Sequence, residues 1–561
     1  MPHNLAALHR ETARRFGPNC ALRFKRFGRY QDLTWTEYRQ RSDGVAAGLV
    51  QLGIAPGDRV ALLAENRYEW LVADYAILSA GAVNVPLHAP LTSAQVAYQV
   101  GHSEARGMIV SNQVQADKVM AVLDLLPKLE FIISFEPVVA PGRLKNLTLS
   151  GLQHRGWHSG SDALEEIFRR ESALSGEDLA TIMYTSGTTG NPKGVMLTHG
   201  NLLSNAQSTF ETGDIQNGDM PLSWLPYSHI YARTVDHYLT TVAGNSMALA
   251  ESVDTLILNL AEIHPMSMNS VPRFYEKVWN TVESLAPEPR ATRLHKLFGP
   301  RIRSLSSGGA PLPKHLAEGF QAAGIPLLQG YGLTESSPVI SFNSLKCNRL
   351  GSVGRAIPGV DVKIADDGEI LTRGPHVMKG YWKDPQATAA AIVDGWLHTG
   401  DVGRLDADGF LFITDRKKDL IITSGGKNIA PTELERFLVS DPFIDQAVVF
   451  GDRRPFVSAI LVPNFPKLES ECSAKGWQLD VAEGFIRNPA VIDFYQQRVD
   501  QVMKPVSQPE RVKKCLLLAR PFQVADEELT ATLKLRRRHI LSKFERHLAA
   551  LYEGARDTAA P

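Results

Sequence analysis

Over its first four hundred residues the chain alternates short apolar runs with longer stretches of helical spacing. That rhythm leaves few architectures open. Residues 58–63 read as a strand and 68–79 as the helix that follows it; 81–86, 301–305 and 325–329 repeat the strand texture. Strands separated by helices return to one sheet in the same direction, so the pattern predicts α/β layers with largely parallel sheets. From about Ser352 the texture becomes hairpins: 362–364 turns through Asp366-Asp367-Gly368 into 369–371, and Asp406-Ala407-Asp408-Gly409 precedes 410–413. Asp-Gly between apolar residues marks tight turns, which predicts a β-rich subdomain closing the large unit. The charge run 415–419 lacks helical spacing. After it come a Gly-Gly loop, a helix opening at Pro431 and strands at 446–450 and 456–462. The expected organisation is a large α/β domain over 1–415 and a small, mobile α+β domain over 416–561.

Sixty Lys+Arg balance sixty Asp+Glu, so no global basic field exists to drive sequence-independent nucleic-acid binding. The four cysteines, Cys20, Cys347, Cys472 and Cys515, form no CxxC pattern and fit a reducing compartment. No apolar run approaches the roughly 18 residues that would span a bilayer. Residues 5–16 read as an amphipathic helix whose acidic residue fits an ordinary surface helix better than an organellar presequence. The expected location is the cytoplasm, with peripheral contact at the inner membrane face left open.

The stretch richest in chemistry is Tyr184-Thr185-Ser186-Gly187-Thr188-Thr189-Gly190-Asn191-Pro192-Lys193-Gly194, entered from the apolar run 180–183. Glycines let backbone approach an anion, while N–H groups and hydroxyls donate to phosphate oxygens. Lys193 adds a compact positive charge. The loop is not a Walker A loop, because no Gly-Lys-Ser/Thr ends it.

This string resembles the phosphate loop of the adenylate-forming superfamily, which comprises acyl-CoA synthetases, peptide-synthetase adenylation domains and firefly luciferases. Further motifs follow in the family's order over most of the chain. Gln329-Gly330-Tyr331-Gly332-Leu333-Thr334-Glu335 resembles the loop that packs an aromatic ring on adenine, sets a threonine by the α-phosphate and gives a glutamate to Mg²⁺. A hard cation held by one carboxylate and substrate phosphates is sensible chemistry for Glu335. Ser307-Gly308-Gly309-Ala310 resembles the loop between adenine and the acyl tunnel. Gly395-Trp396-Leu397-His398-Thr399-Gly400-Asp401 resembles the ribose motif, where both oxygens of a carboxylate suit a vicinal diol. Arg416 matches the arginine that assists at ribose and phosphate, and Lys418 matches the hinge position. Leu529-Thr530-Ala531-Thr532-Leu533-Lys534 resembles the C-terminal Thr-Pro-Thr-x-Lys pattern, with Ala531 replacing the proline. Lys534 is there expected to bridge the substrate carboxylate and the α-phosphate.

Two segments resemble the long-chain branch. In 223–233 the resemblance sets His229 beside the substrate carboxylate; 271–278 is a subfamily mark with Arg273, Glu276 and Lys277 on a helix surface. His229, Arg233 and His237 do not form a metal set, for want of a carboxylate in register, and His154 and His158 read as surface loop. Gly425, Gly426 and Lys427 match the loop along the route of the CoA pantetheine. The resemblance thus implies an AMP-forming ligase that uses MgATP to join a long-chain fatty acid to CoA. Two alternatives stand beside it: a fatty acyl-AMP ligase that loads an acyl carrier protein, and an inactive relative that only binds nucleotide or lipid. Each buried CH₂ offers about 0.8 kcal/mol, so an alkyl tunnel would bind tightly while counting carbons poorly.

Overall fold

The structure is a computed structural model that describes residues 2–140, 142–185, 191–417, 421–422, 428–529 and 535–552. The chain forms two compact units. One comprises 1–363, 371–399 and 406–411; the other comprises 364–370, 400–405 and 412–561. The α/β class expected from the alternation is the class observed.

The larger unit is built on an eight-stranded sheet in the order Gly380–Tyr381, Lys193–Thr198, Leu179–Thr185, Val83–Leu87, Arg59–Leu63, Gly107–Val110, Phe131–Ser134, Lys145–Thr148. From Leu179–Thr185 to Lys145–Thr148 every pairing is parallel. The strands over 83–87, 107–110 and 131–134 are buried throughout, as a sheet covered on both faces requires. The helix Tyr68–Ser79 joins the first two strands at the bounds the sequence predicts. A second sheet sets Ser267–Ser270, Ser304–Ser307 and Leu327–Gly332 parallel, with Val339–Phe342 antiparallel at the side of the last. The strand expected over 301–305 starts later, because Arg301 donates to the carbonyls of Ile263 and His264 and holds its own backbone in a turn.

Two further expectations change. The helix Leu5–Phe16 buries Leu5, Ala6 and His9 completely, and Thr12 Oγ1 donates to the Thr241 carbonyl, so it is a core element and not a surface one. His154 lies in the helix Leu149–Trp157 and His158 caps its end, their Nε2 atoms 2.9 Å apart, where a loop was expected.

The smaller unit carries the antiparallel pair Ile444–Phe450 and Val457–Pro463, with Val512–Leu517 parallel to the latter. Its helix Pro431–Val439 has proline in the first turn, as the sequence predicts, and buries Leu434 and Leu438 against these strands. Among the described residues no helix is long and apolar enough to cross a membrane.

In the larger unit the helices Trp35–Gln51 and Leu149–Trp157 meet through glycines. A Cβ on Gly156 would lie 1.9 Å from the Gly44 carbonyl oxygen, and one on Gly48 would lie 2.5 Å from Leu152. Neither backbone can yield without parting the helices. G156A is expected to destabilise the protein by about 1–3 kcal/mol in urea unfolding. G142A, whose added carbon meets nothing within 4 Å, should stay within about 0.5 kcal/mol.

Candidate active site

The strands Leu179–Thr185 and Lys193–Thr198 pair antiparallel with Thr185 opposite Lys193, so the glycine-rich string is the tip of a hairpin. Ser186, Gly187, Thr188, Thr189 and Gly190 lie outside the described residues. The exit of the tip is anchored by Tyr98, whose hydroxyl donates to the Pro192 carbonyl at 3.2 Å. Beside it, Tyr381 pairs across the sheet with Val195. Lys193 Nζ stands 4.8 Å from the Tyr381 ring centroid, and the Tyr381 hydroxyl donates to Glu335 Oε1 at 3.0 Å. Burial and the Glu335 carboxylate push the Tyr381 phenol far above its ordinary range, so it remains a donor. Tyr381 thus joins two site residues of separate motifs, and sequence reasoning missed it. Its signal is slight: an uncharged aromatic after Gly380 in a two-residue strand.

The loop that carries Glu335 follows the strand Leu327–Gly332. Gly332 is required there, since a Cβ would sit 1.7 Å from the Pro338 carbonyl oxygen. Leu333 N–H donates to that carbonyl, and Ser336 Oγ accepts from Leu333 N–H while donating to the Pro338 carbonyl. Asn205 grips the loop's far end, donating to Val339 O at 2.7 Å and accepting from Val339 N at 3.1 Å. Thr334 and Glu335 are half-buried on a single helical turn, with Tyr331 half-buried before them. Gln329 and Gly330 lie in the strand itself, the Gln329 carbonyl accepting from both nitrogens of Asn343.

One strand over, Ser304–Ser307 ends in Gly308, Gly309 and Ala310. A Cβ on Gly308 would come 2.9 Å from the Tyr231 ring, and Gly309 has φ +78°. The loops 308–310 and 333–338 therefore leave the carboxyl ends of adjacent parallel strands, where open α/β sheets gather ligand loops. Tyr231 follows His229, which caps a short helix and accepts the Tyr231 N–H at Nδ1, 3.2 Å away; a neutral ring there carries its proton on Nε2.

Below this segment lies a buried clasp. Arg233 and Asp74 are both fully buried and ion-paired. Asn84 Nδ2 and the Tyr238 hydroxyl also donate to the Asp74 carboxylate, at 2.6 and 2.8 Å. Burial alone raises the Asp74 pKa, but Arg233 and the hydrogen bonds outweigh it and hold the carboxyl well below the carboxylate range. His237 Nε2 is 3.2 Å from Asp74 without the alignment of a hydrogen bond, and burial lowers the pKa of this imidazole against the pull of Asp74. Arg233 also donates to Thr181 Oγ1 at 2.7 Å, in the strand that enters the glycine-rich tip. Thr234 Oγ1 donates to the Ser337 carbonyl at 2.9 Å, in the loop after Glu335. The wide π-helical turn Arg233–Tyr238 thus ties three motif segments together, and such turns cluster at functional sites.

In the smaller unit, Asp401 is buried and its Oδ1 lies 3.1 Å from Arg416 Nε. Gly400 N–H donates to Glu369 Oε1 at 2.9 Å, and Lys417 Nζ lies 3.0 Å from Glu369 Oε2. Lys418, Gly425, Gly426, Lys427 and Lys534 lie outside the described residues. Arg537, adjacent to the last motif, is committed to Glu435 at 2.6 Å. Among the described residues no three His, Cys, Asp or Glu side chains cluster as a metal cage. Glu335, bonded to Tyr381 beside Lys193, offers a carboxylate suited to a cation that also binds phosphate.

A family model described as AMP-binding enzyme matches residues 9–382, and one described as AMP-binding enzyme C-terminal domain matches 418–556. The chain is 34% identical to the long-chain-fatty-acid–CoA ligase FadD15 of Mycobacterium bovis, over 94% of this chain and 93% of that one. A Mycobacterium tuberculosis fatty acyl CoA synthetase structure aligns at TM-score 0.65 and 25% identity, covering 97% of this chain and 99% of that one. An anthranilate CoA ligase holding anthranoyl-AMP shares the fold at TM-score 0.76 and 20% identity, covering 98% and 99%.

The clasp predicts a severe response to substitution of either partner. D74N leaves the Arg233 charge buried without its counter-charge, and R233M does the same to Asp74; each should cost about 3–5 kcal/mol in urea unfolding. Because the folded pKa of Asp74 is depressed, its stabilisation is complete above the ordinary carboxylate range and is lost as pH falls through and below that range. D74N should therefore flatten the acid limb of the stability–pH curve.

Proposed function

This chain belongs to the AMP-binding, adenylate-forming enzyme family, and from that premise we propose that it is an AMP-forming ligase joining a long-chain fatty acid to CoA. The observation that carries the reading is the union of Lys193 and Glu335 through Tyr381, beside a glycine-rich hairpin tip. A cation and a carboxylate held together at such a tip suit the phosphates of MgATP. The relative FadD15, named as a long-chain-fatty-acid–CoA ligase, supports the acid class.

In the first step a carboxylate oxygen of the acid attacks the α-phosphorus, and the bond to pyrophosphate breaks, giving acyl-adenylate. In the second, the CoA sulfur attacks the acyl carbon, AMP leaves with the former carboxylate oxygen, and the thiol proton passes to solvent. Lys193 steadies phosphate charge from the hairpin, and Lys534 neutralises the α-phosphate and carboxylate in the first step. Residues 185–190 supply backbone N–H groups and hydroxyls to phosphate oxygens. Tyr331, with Gln329, Gly330, Gly332, Gly309 and Ala310, borders adenine, and Thr334 approaches the α-phosphate. Asp401 takes the ribose hydroxyls with Arg416 beside it, and His229 meets the acid. Glu335 would hold the Mg²⁺ that arrives with ATP, and the ion would neutralise phosphate charge there. Rotation about Lys418 then brings Gly425, Gly426 and Lys427 to the pantetheine.

Mass spectrometry of products from MgATP and a panel of C2 to C20 acids, with and without CoA, tests the reading. AMP with a long-chain acyl-CoA is the expected result. Acyl-adenylate that accumulates despite CoA would redirect the second step to a carrier protein, and no AMP from any acid would overturn the ligase. K534A should slow adenylation about 10²–10³-fold while sparing thiolation of supplied acyl-adenylate. G426L should do the reverse, and equal losses in both half-reactions would refute two separate arrangements.

A further inference from the structure

His88 is absent from every motif above, yet it stands at the carboxyl end of the strand Val83–Leu87. That strand is the parallel neighbour of Leu179–Thr185, which runs into the glycine-rich tip. Its other neighbour, Arg59–Leu63, leads to Asn66, whose amide donates to the carbonyls of Trp224 and Leu225 and accepts the Tyr227 N–H. The 224–229 segment is thereby laid across the carboxyl ends of these strands, and it meets His88 there. His88 Nδ1 is 2.8 Å from the hydroxyl of buried Ser228, and the His88 and His229 ring centroids are 6.4 Å apart, 28° from parallel. Among the described residues His88 Nε2 makes no hydrogen bond, and it is not sealed from solvent. Burial lowers the His88 pKa to about 4, so the ring is neutral at physiological pH.

We propose that His88 is a second imidazole at the acid subsite, oriented by Ser228 and donating from Nε2 to one oxygen of the substrate carboxylate while His229 serves the other. The inference rests on the ligase reading. The chemistry favours neutral donors. A carboxylate that must attack phosphorus needs its direction fixed and its electron pairs kept, and the neutral N–H of His88 fixes direction without the charge quenching of an ammonium or guanidinium. Two rings with a common tilt also suit a planar group with two equivalent oxygens. The occupant implied is a carboxylate.

The test uses the full chain and its H88A, H88Q and S228A variants, with KM for acid and for MgATP measured by AMP release, thiolation of supplied acyl-adenylate, and thermal melting. H88A should raise KM for the acid tenfold or more, about the loss expected for a hydrogen bond to a charged group. Its KM for MgATP should stay within twofold, and its thiolation rate should match the parent. H88Q, which keeps an N–H donor near the Nε2 position, should recover most of the loss, and S228A should fall between. An unchanged acid KM in H88A would overturn the proposal. So would a loss shared equally by acid, MgATP and thiolation that follows a lowered melting point in H88A and H88Q alike. If the parent protein makes no AMP from any acid, the ligase reading itself fails, an outcome distinct from a parent that works and an H88A that works equally well.

Discussion

One buried charge organises the larger unit. Arg233 cannot reach water, so its guanidinium has to be matched inside: Asp74 and Thr181 match it, and Tyr238 in turn donates to Asp74. A surface ion pair is worth little and tolerates many geometries. A buried one tolerates few geometries, because parting the two charges leaves each uncompensated at a cost of several kcal/mol. The pair therefore acts as a registration mark: it fixes the helix Tyr68–Ser79, the strand into the glycine-rich tip and the segment after His229 relative to one another. Thr234, the next residue, extends that register to the loop that carries Glu335.

What the sequence disclosed and what it hid follow from the range of the forces involved. The helix Tyr68–Ser79 and the proline-started helix at Pro431 depend on spacing and on φ, both local, and both were legible. The loops at 329–335 and 308–310 were legible through their resemblance to the family's motifs, and the structure gives their glycines a reason: a Cβ on Gly332 or Gly308 would collide with Pro338 or Tyr231. Tyr381 and His88 were not legible. Tyr381 matters through Glu335, 46 residues away, and His88 through Ser228, 140 residues away. Nothing in the neighbours of either residue encodes those partners; sheet order does. The N-terminal helix is a core element for the same reason: its partners, from Tyr38 and Tyr75 to Thr241, lie on other elements of the chain.

The charge run 415–417 shows the same limit from the opposite side. Read alone it is a solvated stretch, and its lack of apolar spacing does exclude a helix. In the smaller unit Arg416 lies against Asp401, and Lys417 bridges Asp367 and Glu369. Each cation before the expected hinge thus has an acidic partner within one unit, Asp401 from the ribose motif and Asp367 and Glu369 from a hairpin.

The seating of the Leu5–Phe16 helix sets a timetable for biosynthesis. Thr12 bonds to a carbonyl 229 residues further on. At about 5–20 residues per second on the ribosome, the helix waits roughly 11–46 s for that partner to be made. Through that interval Leu5, Ala6 and Leu8, which the finished protein hides, have no finished core to cover them. The helix therefore meets its partners in stages, Tyr38 and Tyr75 early and Thr241 late, and its seat is complete only when residues past 241 have emerged.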